Sequence, residues 1–195
     1  MPRRAVFLDR DGVINEDRAY VHRPEDFVLR EGVPRALAEF QRQGFALVVI
    51  TNQSGIARGY FTQRDFESLN CHMLATLATA GIQIAGVYCC PHGPEDGCPC
   101  RKPNPDMILR AAREHQLDLA RSWLIGDKSS DIEAARRAGI PNTVFLRGRY
   151  AVDSNAGKPL YVCDNVLDII RLVSSPDPPA QRGCPRGGDR IQETG

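Results

Sequence analysis

Short apolar runs alternate along the chain with longer amphipathic segments. The runs are rich in β-branched and aromatic residues, and most of them lack polar alternation. Strands of this kind are typically buried on both faces of a parallel sheet. Five such runs and a final shorter one occupy residues 5–8, 46–51, 86–89, 122–126, 142–146 and 161–163.

The segments between these runs carry the signals of helices. Apolar residues recur at helical spacing, and glycine, proline and capping residues mark the ends. The predicted helices are residues 33–40 before Gly44, the segment after a Thr62 and Asp65 capping box, the segment opened by Asn104 and Pro105, and residues 131–139 and 165–173. Strand–helix alternation predicts a three-layer α/β/α sandwich with a mostly parallel sheet and right-handed crossovers.

Composition and charge narrow the class of protein. The 195 residues are 42% hydrophobic and 25% charged, which predicts one globular domain over residues 1–173. A net charge of +1 disfavours nucleic acid as a partner, and no apolar run is long enough for a membrane span or signal peptide. We therefore expect a cytoplasmic protein that is a monomer. The Pro- and Gly-rich segment 174–195 predicts a disordered tail.

Carboxylates follow two of the predicted strands. Asp9 and Asp11 end the first run just before Gly12, and Asp127 and Asp131 follow the fourth. Because the carboxyl ends of parallel strands meet at one edge of the sheet, these acids can supply the hard oxygen ligands that Mg²⁺ prefers. The alternative interpretation is a pair of turn carboxylates and a helix cap.

Two further segments offer groups that bind phosphate oxygens. Thr51 and Asn52 end the second strand with a hydroxyl and an amide. Lys102 precedes the predicted helix at Asn104, where its ammonium could neutralise the same anion. Each of these features is common by itself. The four together, at Asp9 and Asp11, Thr51 and Asn52, Lys102, and Asp127 and Asp131, are far less expected by chance and favour a phosphate site.

Cysteines are concentrated in one loop. Four of the seven lie within residues 89–100 of a chain without an export signal, which indicates metal binding rather than disulfides. A Cys₃His set suits tetrahedral Zn²⁺, and with four protein ligands the zinc would be structural. Cys89 is a rival ligand to Cys90, and free thiols beside a surface histidine are the alternative. The proposed ligands are Cys90, His92, Cys98 and Cys100.

The segments DRDGVIN, TNQ, CRKP and GDKSSD resemble the four motifs of haloacid dehalogenase (HAD) superfamily phosphatases, over about residues 4–173. The resemblance implies a Rossmann-like HAD fold in which Asp9 is the nucleophile that forms an aspartyl phosphate. It implies that Asp11 is the general acid and then the general base. In zinc-bearing members a Cys-Pro-His unit like the one at Cys90 supplies the first ligand, which favours Cys90 over Cys89.

The resemblance also assigns the remaining groups of the site. Asp9, the carbonyl of Asp11 and Asp127 would bind Mg²⁺. Thr51 and Lys102 would stabilise the transferring phosphoryl oxygens. Asp131 would not bind the metal itself but would orient Lys128 or a metal-bound water.

The segments INEDRAYVHRPEDF and TNQSGIARGYF, with the cysteine-rich loop running into CRKP, resemble the loops of the D-glycero-D-manno-heptose 1,7-bisphosphate 7-phosphatases. The resemblance implies a place in bacterial heptose biosynthesis, which supplies precursors of lipopolysaccharide or the S-layer. About forty residues separate Asp9 from Thr51, which leaves no room for a cap domain. Histidinol-phosphate phosphatase is the alternative substrate assignment, and a non-catalytic zinc- and Mg-binding module is the alternative of another class. The implied substrate-binding residues are Asp17, Arg18, Ala19, Tyr20, Asn52, Gln53, Ser54, Arg58, Arg101 and Lys128.

Overall fold

The structure, a computed structural model, describes residues 2–151 and 157–174. Apart from the backbone of Ser174, the predicted tail over 174–195 lies outside these residues. No helix within the described ranges has the length and apolar character that a membrane span needs.

Six strands form one parallel sheet in the described part of the chain. The order across the sheet is β3-β2-β1-β4-β5-β6, and every neighbouring pair is parallel. The strands are β1 (Ala5–Leu8), β2 (Ala46–Asn52), β3 (Ile84–Cys90), β4 (Trp123–Gly126), β5 (Asn142–Leu146) and β6 (Tyr161–Cys163). The predicted α/β class with a mostly parallel sheet is confirmed.

Within the described residues five α-helices cover the sheet, and the connecting segments include two single 3₁₀ turns. The helices are α1 (Val33–Arg42), α2 (Gln63–Thr79), α3 (Asp106–His115), α4 (Ser129–Ala138) and α5 (Val166–Ser174). Thr62 caps α2 as predicted, because its side chain accepts from the Asp65 amide while the Asp65 carboxylate accepts from the Thr62 amide. Gly139 ends α4 in the left-handed conformation.

Side-chain alternation along the central strands produces two cores, one on each face of the sheet. In β1, Val6 and Leu8 belong to the core covered by α1, α2 and α5, whereas Ala5 and Phe7 belong to the core covered by α3 and α4. All four residues are almost fully buried. The three-layer arrangement follows from this alternation because each face of the strands must be covered.

The strand β3 differs from the expectation of burial on both faces. It lies at the edge of the sheet, and only Tyr88 and Cys90 of its seven residues are buried. An edge strand has a neighbouring strand on one side only, which leaves more of its residues exposed. The short apolar run in the sequence is the same for an edge strand and a central strand, so the sequence pattern does not distinguish them. β3 therefore forms one edge of the sheet, and the cysteine-rich loop begins at its last residue, Cys90.

The sheet brings the predicted motifs to one edge. Asp9 directly follows β1, Asp127 directly follows β4, and Thr51 lies at the end of β2. These three strands are neighbours in the order β2-β1-β4. Within the described residues no cap domain is inserted between the strands, so the edge is covered by loops alone.

Candidate active site

A buried lysine joins two of the strand-end acids. The Nζ atom of Lys102 lies 3.0 Å from Asp9 Oδ1 and 2.6 Å from Asp131 Oδ1, and it donates to the carbonyl of Ile50 at 2.9 Å. All three charged residues are at most 4% exposed. Burial by itself would lower the pKa of Lys102, but the carboxylates of Asp131 and Asp9 outweigh it and raise that pKa. The ammonium is thus held charged beside Asp9.

Asp9, Asp127 and Asp131 form a compact acidic cluster, with one carboxylate oxygen of each within 4.8 Å of the others. Both carboxylate oxygens of Asp127 are buried and accept no hydrogen bond from the described part of the chain. Burial, and then the charge of Asp9, raises the pKa of Asp127 to about 8. Buried carboxylate oxygens that accept no hydrogen bond fit a hard cation such as Mg²⁺, which would compensate their charge.

Asp131 contacts two lysines of the site. The resemblance implied that it orients Lys128 or a metal-bound water, and that role stays a prediction. In the structure its Oδ1 contacts Lys102, and its Oδ2 accepts from the backbone amide of Lys128 at 3.0 Å. Asp131 therefore caps the start of α4 and fixes the buried lysine at the same time.

Gly12 is required by the close approach of two strand ends. Its φ is +90°, and a Cβ atom there would lie 2.5 Å from Cγ of Asp127 and nearer still to Oδ2. Only glycine combines this conformation with this packing. The turn after Asp11 therefore depends on the missing side chain to admit the Asp127 carboxylate.

Asp11 is tied to the end of the neighbouring strand. Gln53 donates through its Nε2 to Asp11 Oδ2 at 2.8 Å and to Thr51 Oγ1 at 2.7 Å. Asn15 donates to Asp11 Oδ1 at 3.0 Å. These bonds place the Asp11 carboxylate and the buried Thr51 hydroxyl on one polar network at the floor of the site.

Asn52 has both of its polar side-chain groups occupied by the backbone of Lys102. Its Nδ2 donates to the Lys102 carbonyl, and its Oδ1 accepts from the Lys102 amide, each at 3.1 Å. The peptide bond from Lys102 to Pro103 is cis. Asn52, expected to bind substrate, thus also joins the end of β2 to the loop that carries Lys102.

A cleft of about 470 Å³ opens above these residues. Arg18 is the one implied substrate-binding residue that does not line it, because its guanidinium pairs with Glu16 at 2.7 Å on the exposed side of the loop. The implied residues that do line the cleft are Asp11, Asp17, Ala19, Tyr20, Asn52, Gln53, Ser54, Arg58, Arg101, Lys102 and Lys128.

The cleft residues that the sequence-based prediction missed are Pro94, Ser130, Arg149 and Tyr150. Arg149 lies with Nη1 3.9 Å from Asp17 Oδ1, and the ring centroid of Tyr150 lies 4.6 Å from Lys128 Nζ. Both line the cleft and lie in the loop after β5. The rule that sites form at the carboxyl ends of strands could have found them, since β5 ends at Leu146.

Lys128 carries a second charge into the cleft. Its Nζ lies 3.6 Å from Asp127 Oδ1 and 4.0 Å from Asp9 Oδ2 and from Asp17 Oδ2. Burial opposes its charge, but the carboxylates of Asp9 and Asp127 raise its pKa above the ordinary value. A cation is therefore present at the point where the acidic cluster faces the cleft.

The cysteine-rich loop brings four potential ligands together. Among the described residues, Cys90, His92, Cys98 and Cys100 each offer one ligand atom within 4.8 Å of the others. Sulfur–sulfur distances are 3.0–3.5 Å, close to the roughly 3.8 Å of tetrahedral sites with metal–sulfur bonds of about 2.3 Å. Cys89 is not part of the group, and burial raises its pKa to about 12.

The same loop positions a cleft residue. Arg101 directly follows Cys100 and donates through Nη1 to the carbonyl of His92 at 3.1 Å. Asn104 donates to the carbonyl of Cys98 at 2.9 Å. The position of the Arg101 guanidinium in the cleft therefore depends on the conformation of the cysteine-rich loop.

The parallel sheet and the strand-end acids around a buried lysine define a HAD-like hydrolase, and residues 99–169 match the family model described as HAD-hydrolase-like. The chain is 48% identical to a D-glycero-β-D-manno-heptose-1,7-bisphosphate 7-phosphatase of Helicobacter pylori (strain J99), over 73% of this chain and 83% of the relative. It is 40% identical to the enzyme of that name from Escherichia coli (strain K12), over 91% of this chain and 97% of the relative. The chain belongs to the family of D-glycero-β-D-manno-heptose-1,7-bisphosphate 7-phosphatases.

A solved structure supports the same grouping. The D,D-heptose 1,7-bisphosphate phosphatase of B. bronchiseptica, complexed with magnesium and phosphate, superposes with a TM-score of 0.75 at 33% identity. The match covers 86% of this chain and 96% of that one. The resemblance noted from the four motifs is therefore confirmed at the level of family and fold.

Proposed function

We propose that this chain removes the 7-phosphate of D-glycero-D-manno-heptose 1,7-bisphosphate through an aspartyl phosphate on Asp9. The observation that carries the proposal is the buried Asp9–Lys102 pair beside the Asp127 carboxylate, which accepts no hydrogen bond from the described residues. Lys102 also lines the cleft, together with other residues that the family resemblance implied. Membership of the heptose bisphosphate phosphatase family supports the substrate. The β anomer is proposed because it stands in the relatives' names.

In the first step a carboxylate oxygen of Asp9 attacks the phosphorus of the 7-phosphate. The bond between phosphorus and the C7 oxygen breaks, and Asp11 donates a proton to that oxygen. Thr51 and Lys102 bind phosphoryl oxygens and offset their charge. The product retains its 1-phosphate and leaves the open cleft.

In the second step water attacks the aspartyl phosphate, and Asp11 takes its proton. Inorganic phosphate is released and the Asp9 carboxylate is restored. Asp9, Asp127 and the Asp11 carbonyl would hold Mg²⁺, which neutralises phosphoryl charge when bound. Lys128, near both Asp9 and Asp127, keeps the anion oriented during both steps.

The retained 1-phosphate is recognised by arginines at the mouth of the cleft. Arg58 and Arg101 line this region, and a planar guanidinium can bind a phosphate with two parallel hydrogen bonds. Zn²⁺ bound by Cys90, His92, Cys98 and Cys100 would complete the loop that carries Arg101. With four protein ligands that zinc is structural.

The test compares phosphate release with Mg²⁺ from both anomers of the heptose 1,7-bisphosphate, from histidinol phosphate and from simple sugar monophosphates. We expect the highest kcat/KM for the β-heptose bisphosphate, with a 1-phosphate product. Asp9→Asn should abolish release, whereas Asp164→Asn, at an exposed surface position, serves as the matched control. A higher kcat/KM for histidinol phosphate, or undiminished release by Asp9→Asn, would refute the proposal.

A further inference from the structure

Arg10 stands between the two acids of the first motif and is completely buried. Its Nη2 donates to Asp11 Oδ2 at 2.9 Å, and its Nε approaches Asp11 Oδ1 at 3.3 Å. The same Nη2 donates to the carbonyl of Val21 at 2.9 Å. The ring of Phe66 lies beneath the guanidinium, with its centroid 5.6 Å from Cζ. Arg10 therefore contacts both carboxylate oxygens of Asp11 through two of its nitrogens.

This arrangement has a cost to the fold. A guanidinium removed from water loses its hydration, and within the described ranges Arg10 Nη1 is buried without any hydrogen-bond partner. Asp11 is the acid that pairs with Arg10 in the structure. An apolar side chain at this position would avoid the cost but would lose the polar contacts of Arg10. The contact with Asp11 engages two of its nitrogens and pairs opposite charges, whereas the Val21 carbonyl accepts one bond.

Three side chains together restrain the Asp11 carboxylate. Asn15 donates to its Oδ1, Gln53 donates to its Oδ2, and Arg10 contacts both oxygens. Gln53 is itself fixed by two hydrogen bonds. Its side chain donates to the Thr51 hydroxyl, and its backbone amide donates to the carbonyl of Cys90. Asn15 and Gln53 each hold one oxygen of the carboxylate, whereas Arg10 contacts both, so removal of Arg10 takes away the two-point restraint on the carboxylate.

We propose that Arg10 is a positioning residue that fixes the Asp11 carboxylate for proton transfer to the leaving oxygen and from the attacking water. Arg10 does not line the cleft and acts through Asp11. The inference rests on the proposed function, in which Asp11 is the acid and base. Its signature is a dependence on the leaving group, because only a poor leaving group needs the proton.

The experiment uses two substrates with each variant. From the heptose bisphosphate the leaving group is the C7 alkoxide of the heptose 1-phosphate, which needs protonation, whereas 4-nitrophenyl phosphate releases the anion of a far more acidic phenol. We expect Arg10→Met to lower kcat/KM for the heptose substrate by about 100-fold and for the aryl substrate by less than about 5-fold. Arg10→Lys should recover part of the loss. The ratio of the two values does not depend on the folded fraction of the protein.

Arg30→Met is the matched control. Arg30 donates to the carbonyls of Gly12 and Arg147, so it supports the same turn without touching Asp11. Any loss in this variant should be parallel for the two substrates. Asp11→Asn should show the selective loss, and adding Arg10→Met to it should bring no further selectivity.

Two outcomes would overturn the inference in distinguishable ways. A parallel loss for Arg10→Met, together with a selective loss for Asp11→Asn, would show that Arg10 only supports the fold, while the proposed function would stand. A parallel loss for Asp11→Asn as well would refute the acid role of Asp11 and, with it, the role of Arg10.

Discussion

Gly12→Ala tests whether the turn after Asp11 must admit the Asp127 carboxylate. The new Cβ would lie 2.5 Å from Asp127 Cγ, whereas real Cβ contacts are essentially never below 3.0 Å. Relief of the clash moves either the turn or Asp127 by roughly 1 Å, a displacement that can cost about 100-fold in rate when it affects a reacting geometry. The φ of +90° adds strain of about 1–3 kcal/mol to any side chain there.

Gly44→Ala separates these two effects. Gly44 has a φ of +85°, but a Cβ there would meet nothing within 4 Å. Both variants should therefore lose about 1–3 kcal/mol of unfolding free energy. Only Gly12→Ala should also disturb the acidic cluster.

The assays are urea unfolding and phosphate release over a range of Mg²⁺ concentrations. We expect Gly12→Ala to lose about 100-fold in kcat/KM and to require more Mg²⁺ for half-maximal activity. Gly44→Ala should keep both values close to those of the unmodified protein. The reasoning fails if the two variants have the same kcat/KM and the same Mg²⁺ requirement.

Two further predictions concern the metals. The protein without metal should lose stability as the pH rises from about 4 to 8, because the folded state keeps a proton on Asp127, whose pKa is raised to about 8, whereas the unfolded chain releases it near 3.8. Urea unfolding in chelator measures this slope, Mg²⁺ should reduce it, and a flat profile would contradict it. Cys98→Ser should lose bound zinc and melt at a lower temperature, whereas the exposed Cys71→Ser should not, as metal analysis and thermal unfolding would reveal. Full zinc content in Cys98→Ser would exclude Cys98 as a ligand.

The sequence by itself determined the architecture and the location of the site. Short apolar runs with helices between them predicted the parallel sheet, and the strand-end rule placed Asp9, Thr51 and Asp127 at one edge. The helix ends were also set by nearby residues, as the capping box of Thr62 and Asp65 demonstrates. These features are predictable because each depends on residues a few positions apart, or on the shared direction of parallel strands.

The tertiary structure decided which partners the polar side chains take. Asn52 bonds to the backbone of Lys102, fifty residues away, and Arg18 pairs outside the cleft that Arg149 lines. Arg10 is a charged residue with no local signal of burial, yet it is completely buried against Asp11. Such partners depend on how distant loops approach each other over the sheet edge. Hydrophobic periodicity and local spacing record burial and turns, but they do not specify that approach.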